Sequence, residues 1–366
     1  MNLALQQYKG ATVVVTGHTG FKGAWLTAWL LRLGAKVVGI GLDPATQPSH
    51  FVAAGLAGAV LDLRIDVRDQ AAISQALHDV KPDFVFHLAA QALVRRSYSD
   101  PIETWQTNLM GTLNILEGLR VLNRRCAAVL VTSDKCYDNV EWLWGYRESD
   151  SLGGIDPYSA SKGATEIAIR SYIRSYFPSE TSLVRVASAR AGNVIGGGDW
   201  SADRIVPDCV KAWSLGDVVD LRNPHSTRPW QHVLEPLSGY LCLAAALHQR
   251  PELHGEPFNF GPPADHNYTV LELVNQMSLH WHQVRWNDVS GTVTGPYESS
   301  LLKLNCDKAL HYLGWASTLS FEQTVQMTTE WYKIFYEPLQ DMLSVTTKQI
   351  DTYTEVAQTK GLEWAQ

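Results

Sequence analysis

From Ala11 onward, short runs of β-branched and other apolar residues alternate with longer stretches whose apolar positions recur at helical spacing. This is the rhythm of parallel strands joined by crossover helices. Six runs are expected as strands, at residues 12–16, 36–40, 61–65, 84–88, 128–132 and 182–187. Each is nearly all apolar, as strands covered on both faces must be. The stretches 24–33, 70–79, 101–122 and 157–176 are long enough for helices, and two of them open on Pro101 and Pro157, where a missing N–H costs nothing in the first turn. The expected fold class is α/β, a Rossmann-like doubly wound parallel sheet.

After about residue 188 the alternation stops. Residues 192–200 (GNVIGGGDW) and 221–230 (LRNPHSTRPW) are rich in Gly, Pro and Asn, which points to structured loops, and their Trp and Arg content speaks against disorder. A smaller, mixed C-terminal substrate domain is therefore expected at 189–228 and 263–340. Residues 1–188 form the cofactor domain, with 229–262 returning to it. Residues 341–366 are a polar, Thr-rich tail with room for one helix and no assigned chemistry.

Composition narrows the function classes. With 45% hydrophobic and 18% charged residues among 366, the chain has ample surface to bury, which excludes global disorder. Thirty basic against 37 acidic residues give a net charge of −7 with no basic block, so a nucleic-acid partner is not expected. The five cysteines are odd in number and form no Cys-x-x-Cys pair, the pattern of a reducing compartment without structural zinc. The polar QQYKG break near the start argues against a signal peptide, and no apolar run approaches the ~18 residues that span a bilayer. The protein is expected to be soluble and cytoplasmic, with no membrane partner.

The first strand leads directly into Gly17-His18-Thr19-Gly20-Phe21-Lys22-Gly23 and then a helix. Glycines three apart at such a junction let the backbone turn, approach a pyrophosphate and pack the helix on the sheet, while the helix N-terminus faces the phosphates. Gly17, Gly20, Phe21, Lys22 and Gly23 are thus candidate cofactor contacts. Asp43 stands at the end of the second strand, where a carboxylate accepts hydrogen bonds from an adenosine ribose, although before Pro44 it is equally a turn former. No Lys or Arg lies between Lys36 and Arg64, which favours NAD over NADP. Asp66, after the third strand, faces the adenine edge, and Leu88, Ala89 and Ala90, after the fourth, leave the cofactor room.

Tyr158 and Lys162 are four apart on a predicted helix, so both project from one face, and the ammonium is expected to lower the phenol's pKa. Ser133 sits at the exit of the fifth strand, where ligands bind in open α/β sheets. The glycine loop, Asn108, Ser133 and Tyr158-Ser-Ala-Ser-Lys162 resemble the extended branch of the short-chain dehydrogenase/reductase family, and within it the nucleotide-sugar 4,6-dehydratases. So do VTGHTGFKGAWL (15–26), HLAAQALVRRSY (87–98), TSDKCYDN (132–139), GNVIGGGDW and TRPWQHV (227–233), a similarity running from about residue 9 to about residue 331.

The resemblance implies an internal redox cycle. Tyr158 removes the proton from a hexose 4-hydroxyl as hydride passes from C4 to NAD, Ser133 bonds that oxygen, and Lys162 holds the cofactor ribose. Loss of the C5 proton and the C6 hydroxyl follows, and the hydride returns to C6. The resemblance places the elimination acid and base at Asp134 and Lys135. Other nucleotide-sugar dehydratases generally carry Glu at the second position, so the base assignment stays open. A lysine serves as base only if burial and nearby positive charge depress its pKa, and an ion pair with Lys135 would keep Asp134 ionised. Otherwise the two are a structural pair at a strand end.

By the same resemblance Asn108 holds a water or backbone carbonyl beside Lys162. Asn193, Arg204, Arg228 and Trp230 line the nucleotide site, with Arg222 grouped among them, and Arg96 faces the pyrophosphate. Arginine suits such a site because its guanidinium grips phosphate oxygens in pairs; taken singly, each is as readily a solvated surface residue. Tyr297, in PYESSLLKLN, stands where the family usually has His, and Asn305 where it usually has Asp. The family further implies a homodimer or dimer of dimers through the 101 and 157 helices, and service to 3,6-dideoxyhexose synthesis for surface polysaccharide. Two other readings share parts of this set. A nucleotide-sugar 4-epimerase needs the glycine loop, serine, tyrosine and lysine but no acid and base at C5 and C6, and a silent NAD-binding scaffold needs none of the catalytic residues. Cys136 is expected as a small buried residue and His280 and His282 as surface histidines.

Overall fold

Val13, Val15, Phe84, Phe86 and Val129 are buried on one side, and Val14, Val85, Ala128 and Leu130 on the other. Alternate residues of the same strands therefore feed two cores, as in a sheet with helices on both faces. In the computed structural model, which describes residues 5–178, 181–290 and 301–366, that sheet has seven strands: β1 (Thr12–Thr16), β2 (Lys36–Ile40), β3 (Leu61–Leu63), β4 (Phe84–His87), β5 (Cys126–Val131), β6 (Val184–Ala191) and β7 (Pro257–Phe260). They are ordered β7-β6-β5-β4-β1-β2-β3, and every neighbouring pair is parallel. Helices α1 (Phe21–Arg32) and α6 (Leu234–Gln249) cover one face; α2 (Gln70–Val80), α3 (Gly111–Arg120) and α4 (Pro157–Tyr176) cover the other. Between them in sequence lies α5 (Ile205–Ser214), and α7 (Phe321–Phe335) and α8 (Met342–Thr359) end the chain. The doubly wound α/β fold stands as expected.

Three differences from the sequence pattern have physical causes. β6 runs on to Ala191, beyond the expected end at 187, through Ser188 and Arg190. These polar residues are buried because the Glu166 carboxylate accepts hydrogen bonds from Ser188 Oγ at 2.9 Å and Arg190 Nη2 at 2.7 Å. The expected helix at 101–122 is interrupted by a π-helical turn at Gln106–Met110, which carries Asn108. β3 is shorter than expected because it is the sheet edge, with Leu61 exposed.

The polar tail belongs to the core. α8 buries Thr346, Ile350, Tyr353 and Ala357, a three-to-four spacing, against α1. Arg32 pairs with Asp351 at 3.1 Å, Trp364 stacks on Tyr353, and Tyr353 Oη donates to Glu235 Oε2 at 2.8 Å. Glu235 also accepts from the Thr318 and Leu319 amides, yet burial pushes its carboxyl up to about 7.

His50, His87 and His232 are fully buried, and burial pulls each down to about 3 from the ordinary 6.5. They stay neutral in the folded chain, while the unfolded chain protonates them near pH 6.5. Their contribution is complete above that pH and is lost as pH falls toward 3, at about 1.4 kcal/mol per pH unit for each. Glu235, raised, works in the opposite sense between its two pKa values, and so does Asp134. Burial also raises Glu148 and Asp208 and lowers His18, His248 and His254, so six histidines stand against four carboxyls and the urea midpoint should fall when pH is lowered from 6.5 to about 5. A flat midpoint would mean that the histidines take up protons while folded.

Candidate active site

Strand winding changes direction between β1 and β4, and in open α/β sheets ligands bind beyond the carboxyl ends at such a point. A cavity of about 830 Å³ lies there, walled by the loops that follow β1 to β6. Gly17 takes φ 72°, and a Cβ on it would stand 2.8 Å from the Ala89 amide nitrogen; a Cβ on Gly23 would stand 2.0 Å from the Gly17 carbonyl oxygen. Both positions must lack a side chain for the loop to pack against the β4 exit and lead into α1. Thr16 ties the two strand ends, its Oγ1 lying 2.7 Å from His87 Nδ1 and accepting from the Ala89 amide at 3.2 Å. The result is a bare backbone cradle at a helix N-terminus, which fits the pyrophosphate of a dinucleotide.

The reaction centre is assembled from the β5 exit and α4. Pro157 opens α4, and Asp156 caps it by accepting from the Ser159 amide, so Tyr158 and Lys162 enter the cavity from the first turns. Ser133 caps the short turn Asp134–Cys136, accepting from the Lys135 amide. Its hydroxyl donates to Asp134 Oδ1 at 2.9 Å and also engages Tyr158. Tyr158, Ser133, Asp134 and Lys162 are buried and Lys135 is half-buried. Burial raises the Asp134 carboxyl, against the lowering effects of the Lys135 charge, the Ser133 bond and the Lys22 charge. Tyr158 is pushed up to about 12 by burial, opposed by the Ser133 bond and the charge of Arg204. Lys162 is pulled down to about 8 by burial, with Glu166 opposing. Lys22 is likewise pulled to about 8 by burial and by the charges of Arg204 and Lys162.

Beneath this centre lies a network that sequence reasoning did not find. Glu166, one turn beyond Lys162, accepts from Thr132 Oγ1 at 2.5 Å as well as from Ser188 and Arg190, and Arg190 Nη1 donates to Tyr137 Oη at 2.8 Å. The pair fixes the strand exit on both sides of Ser133. A polar residue inside an expected strand, facing a glutamate at i+4 from Lys162, was the available signal.

Around the rest of the cavity stand Asn193, Arg96, Arg204, Arg222, Arg228 and Trp230, together with Asp43, Asp66, Leu88, Ala89 and Ala90. Arg204 Nη1 is paired with Asp199 at 2.6 Å, and Trp230 Nε1 donates to the Tyr268 carbonyl at 3.0 Å. Asn108 does not line the cavity. It lies behind the wall, accepting from the Gln91 amide and donating to Gln91 O and Ser161 Oγ. Tyr297 lies outside the described residues.

The model of the GDP-mannose 4,6 dehydratase family matches residues 14–328. The CDP-glucose 4,6-dehydratase of Salmonella typhimurium is 44% identical over 352 residues, covering 94% of this chain and 97% of that protein. The chain belongs to this dehydratase family, within the extended short-chain dehydrogenases/reductases. More distantly, the UDP-glucose 4-epimerase of Mycoplasma pneumoniae is 24% identical, over 75% of this chain and 83% of that one. Among solved structures, the UDP-glucose 4-epimerase of Thermotoga maritima superposes with a TM-score of 0.74 at 21% identity, covering 89% of this chain and 100% of that one. The dTDP-glucose 4,6-dehydratase of Bacillus anthracis, in complex with NAD, gives 0.71 at 21% identity, over 88% and 97%. At that identity these two establish the fold.

Four features of the geometry bear on the roles expected of these residues. The largest influences that lower the Tyr158 phenol are Ser133 and Arg204, and burial pulls the Lys162 ammonium itself down to about 8. Asp134 makes no ion pair with Lys135 among the described residues, and burial wins over the lysine's charge, which keeps the aspartate available as a proton holder. Arg64, the first cation past Lys36 in sequence, folds back to Asp43 at 3.3 Å and Asp62 at 2.6 Å and donates to the Leu42 carbonyl, so a guanidinium paired on two carboxylates stands behind the cavity-lining Leu42 and Asp43. Arg96 is turned onto Glu103 at 2.6 Å. Its neighbour Arg95, which sequence reasoning passed over, is the one that reaches across to Asp203.

Proposed function

We propose that this chain converts CDP-glucose to CDP-4-keto-6-deoxyglucose and water, with NAD held on the glycine loop by Gly17, Gly20, Phe21, Lys22 and Gly23, and by Asp43 and Lys162 at its riboses. The observation that carries the reading is Asp134. A buried carboxyl with a raised pKa, in hydrogen-bond contact with Ser133, puts an acid beside the oxidation centre, where a 4-epimerase has no use for one. The 44% identity to a CDP-glucose 4,6-dehydratase supports the base and the sugar.

Bound NAD would take the hydride from C4 of the hexose and give it back at C6. Tyr158 takes the proton of the 4-hydroxyl, and Ser133 holds that oxygen as it becomes a carbonyl. Asp134 protonates the C6 hydroxyl so that it leaves as water, and Lys135 removes the proton on C5, made acidic by the adjacent ketone, and gives a proton back to C5 when the hydride adds at C6. Asn108, bonded to the Gln91 main chain and to Ser161 Oγ, holds a backbone carbonyl beside Lys162. Arg204, Arg222, Arg228, Trp230 and Asn193 meet the nucleotide and Arg96 adds charge at the rim. Residues 1–188 with 229–262 form the cofactor part and 189–228 with 263–340 the sugar-nucleotide part. Exposed Ile102 and Met110, on the run before and across the π turn, and Ile167 and Tyr176 on α4, are suited to a homodimer contact between helices. No helix among the described residues is long and apolar enough to cross a membrane. The enzyme works in the cytoplasm and feeds deoxysugar synthesis for surface polysaccharide.

Incubation with CDP-, dTDP- and UDP-glucose and GDP-mannose, followed by mass spectrometry, tests the proposal. The CDP sugar is expected to lose one water with no net accumulation of NADH. A product of unchanged mass would make the chain an epimerase, and dehydration of another sugar alone would move the base assignment.

A further inference from the structure

Three segments that are distant in sequence meet at the mouth of the cavity. Arg95 comes from the helical turn Val94–Ser99 after β4, Asp203 from the loop before α5, and Arg222 from the irregular stretch after the strand Val219–Leu221. All three line the cavity. Arg222 Nη1 and Arg95 Nη1 both donate to Asp203 Oδ1, at 2.8 and 3.2 Å. Two guanidinium groups from separate segments thus converge on a single anionic oxygen. Each retains further N–H groups, and all three side chains are partly exposed, at 30–46%. Exposed ion pairs of this kind add little to stability and exchange readily. The point where two such forks converge suits a phosphate, because guanidinium binds phosphate oxygens with the same geometry as carboxylate oxygens.

We propose that Arg95 and Arg222 form the grip for the substrate's diphosphate, and that Asp203 stands in for that diphosphate in the free protein and gives way to it. The inference rests on the nucleotide-sugar reading of the cavity. It adds Arg95 and Asp203, and it gives Asp203 a negative role: the carboxylate competes with the ligand for the two arginines. Only a ligand that brings more than one charge to both forks displaces it, so a nucleoside diphosphate is favoured over a nucleoside. Asp203 takes φ 63°, a left-handed conformation that asparagine adopts as readily as aspartate, so Asp203→Asn removes the charge without disturbing the loop.

The test is calorimetric titration of NAD-loaded protein with CDP and, separately, with cytidine. Arg95→Gln is expected to weaken CDP about tenfold, the loss of one charged hydrogen-bond partner, with cytidine unchanged. Asp203→Asn is expected to tighten CDP by about threefold or more, again with cytidine unchanged, because an exposed pair no longer has to be broken. Weaker CDP binding by Asp203→Asn would overturn the stand-in role, and unchanged binding by Arg95→Gln would overturn the grip. A parent protein that binds none of CDP, UDP, dTDP or GDP would instead overturn the nucleotide-sugar reading. Unaltered NAD affinity in both variants shows that the fold is intact.

Discussion

Tyr158→Phe should lower turnover of the nucleotide sugar by about 10³ to 10⁴-fold, the upper range for a positioned proton acceptor, while the thermal midpoint stays close to that of the parent. The ring remains to fill its buried place, and only the oxygen that meets Ser133 is removed. Because burial holds the phenol at about 12, a proton sits on it across the neutral range in the free protein. The value of kcat/KM reports the free enzyme, so it should climb as pH rises from neutral. Arg204 is one of the larger influences that bring the phenol down, and it is anchored by Asp199, so part of the tuning comes from a residue that sequence logic reserved for the nucleotide. Turnover retained in Tyr158→Phe would take the tyrosine out of the mechanism. An unchanged pH profile in the parent would mean that another group limits the step.

The α/β fold was legible because a parallel sheet covered on both faces writes itself as nearly continuous apolar runs, and six of the seven strands do so. The seventh, β7, was not called as a strand: it is a four-residue strand within Pro257–Phe260, placed by pairing with β6 after a long excursion. β6 was cut short for a related reason, since Ser188 and Arg190 look like a strand end until Glu166 is seen to satisfy them. The tail was undervalued because threonines conceal a helical stripe whose buried members are spaced correctly but are only partly apolar. At the site, linear spacing brought out the glycine loop and the tyrosine–lysine pair, which are local in sequence. Arg64 with Asp43, and Arg95 with Asp203 and Arg222, could not be seen, because each pairing is made by the way the chain folds back.

Asp134→Asn separates elimination from oxidation. Asparagine keeps the Oδ1 that accepts from Ser133, so the serine should hold its place, but the amide has no acidic proton to give the departing C6 hydroxyl. Dehydrated product is expected to fall by about 10² to 10³-fold, the range for loss of general acid assistance, while oxidation at C4 continues and reduced-nicotinamide absorbance builds up on the enzyme. In the parent, burial lifts the Asp134 pKa, so the proton is present below that raised value and is lost as pH climbs through it. Elimination should then fail at high pH before oxidation does, with the same build-up of absorbance as in the variant. If Asp134 serves only to brace the β5 exit, the variant would instead lose thermal stability and slow both steps in equal measure, and the acid would have to be sought elsewhere. Lys22, whose charge opposes the rise in the Asp134 pKa and whose own pKa is drawn down to about 8, is the next group within electrostatic reach.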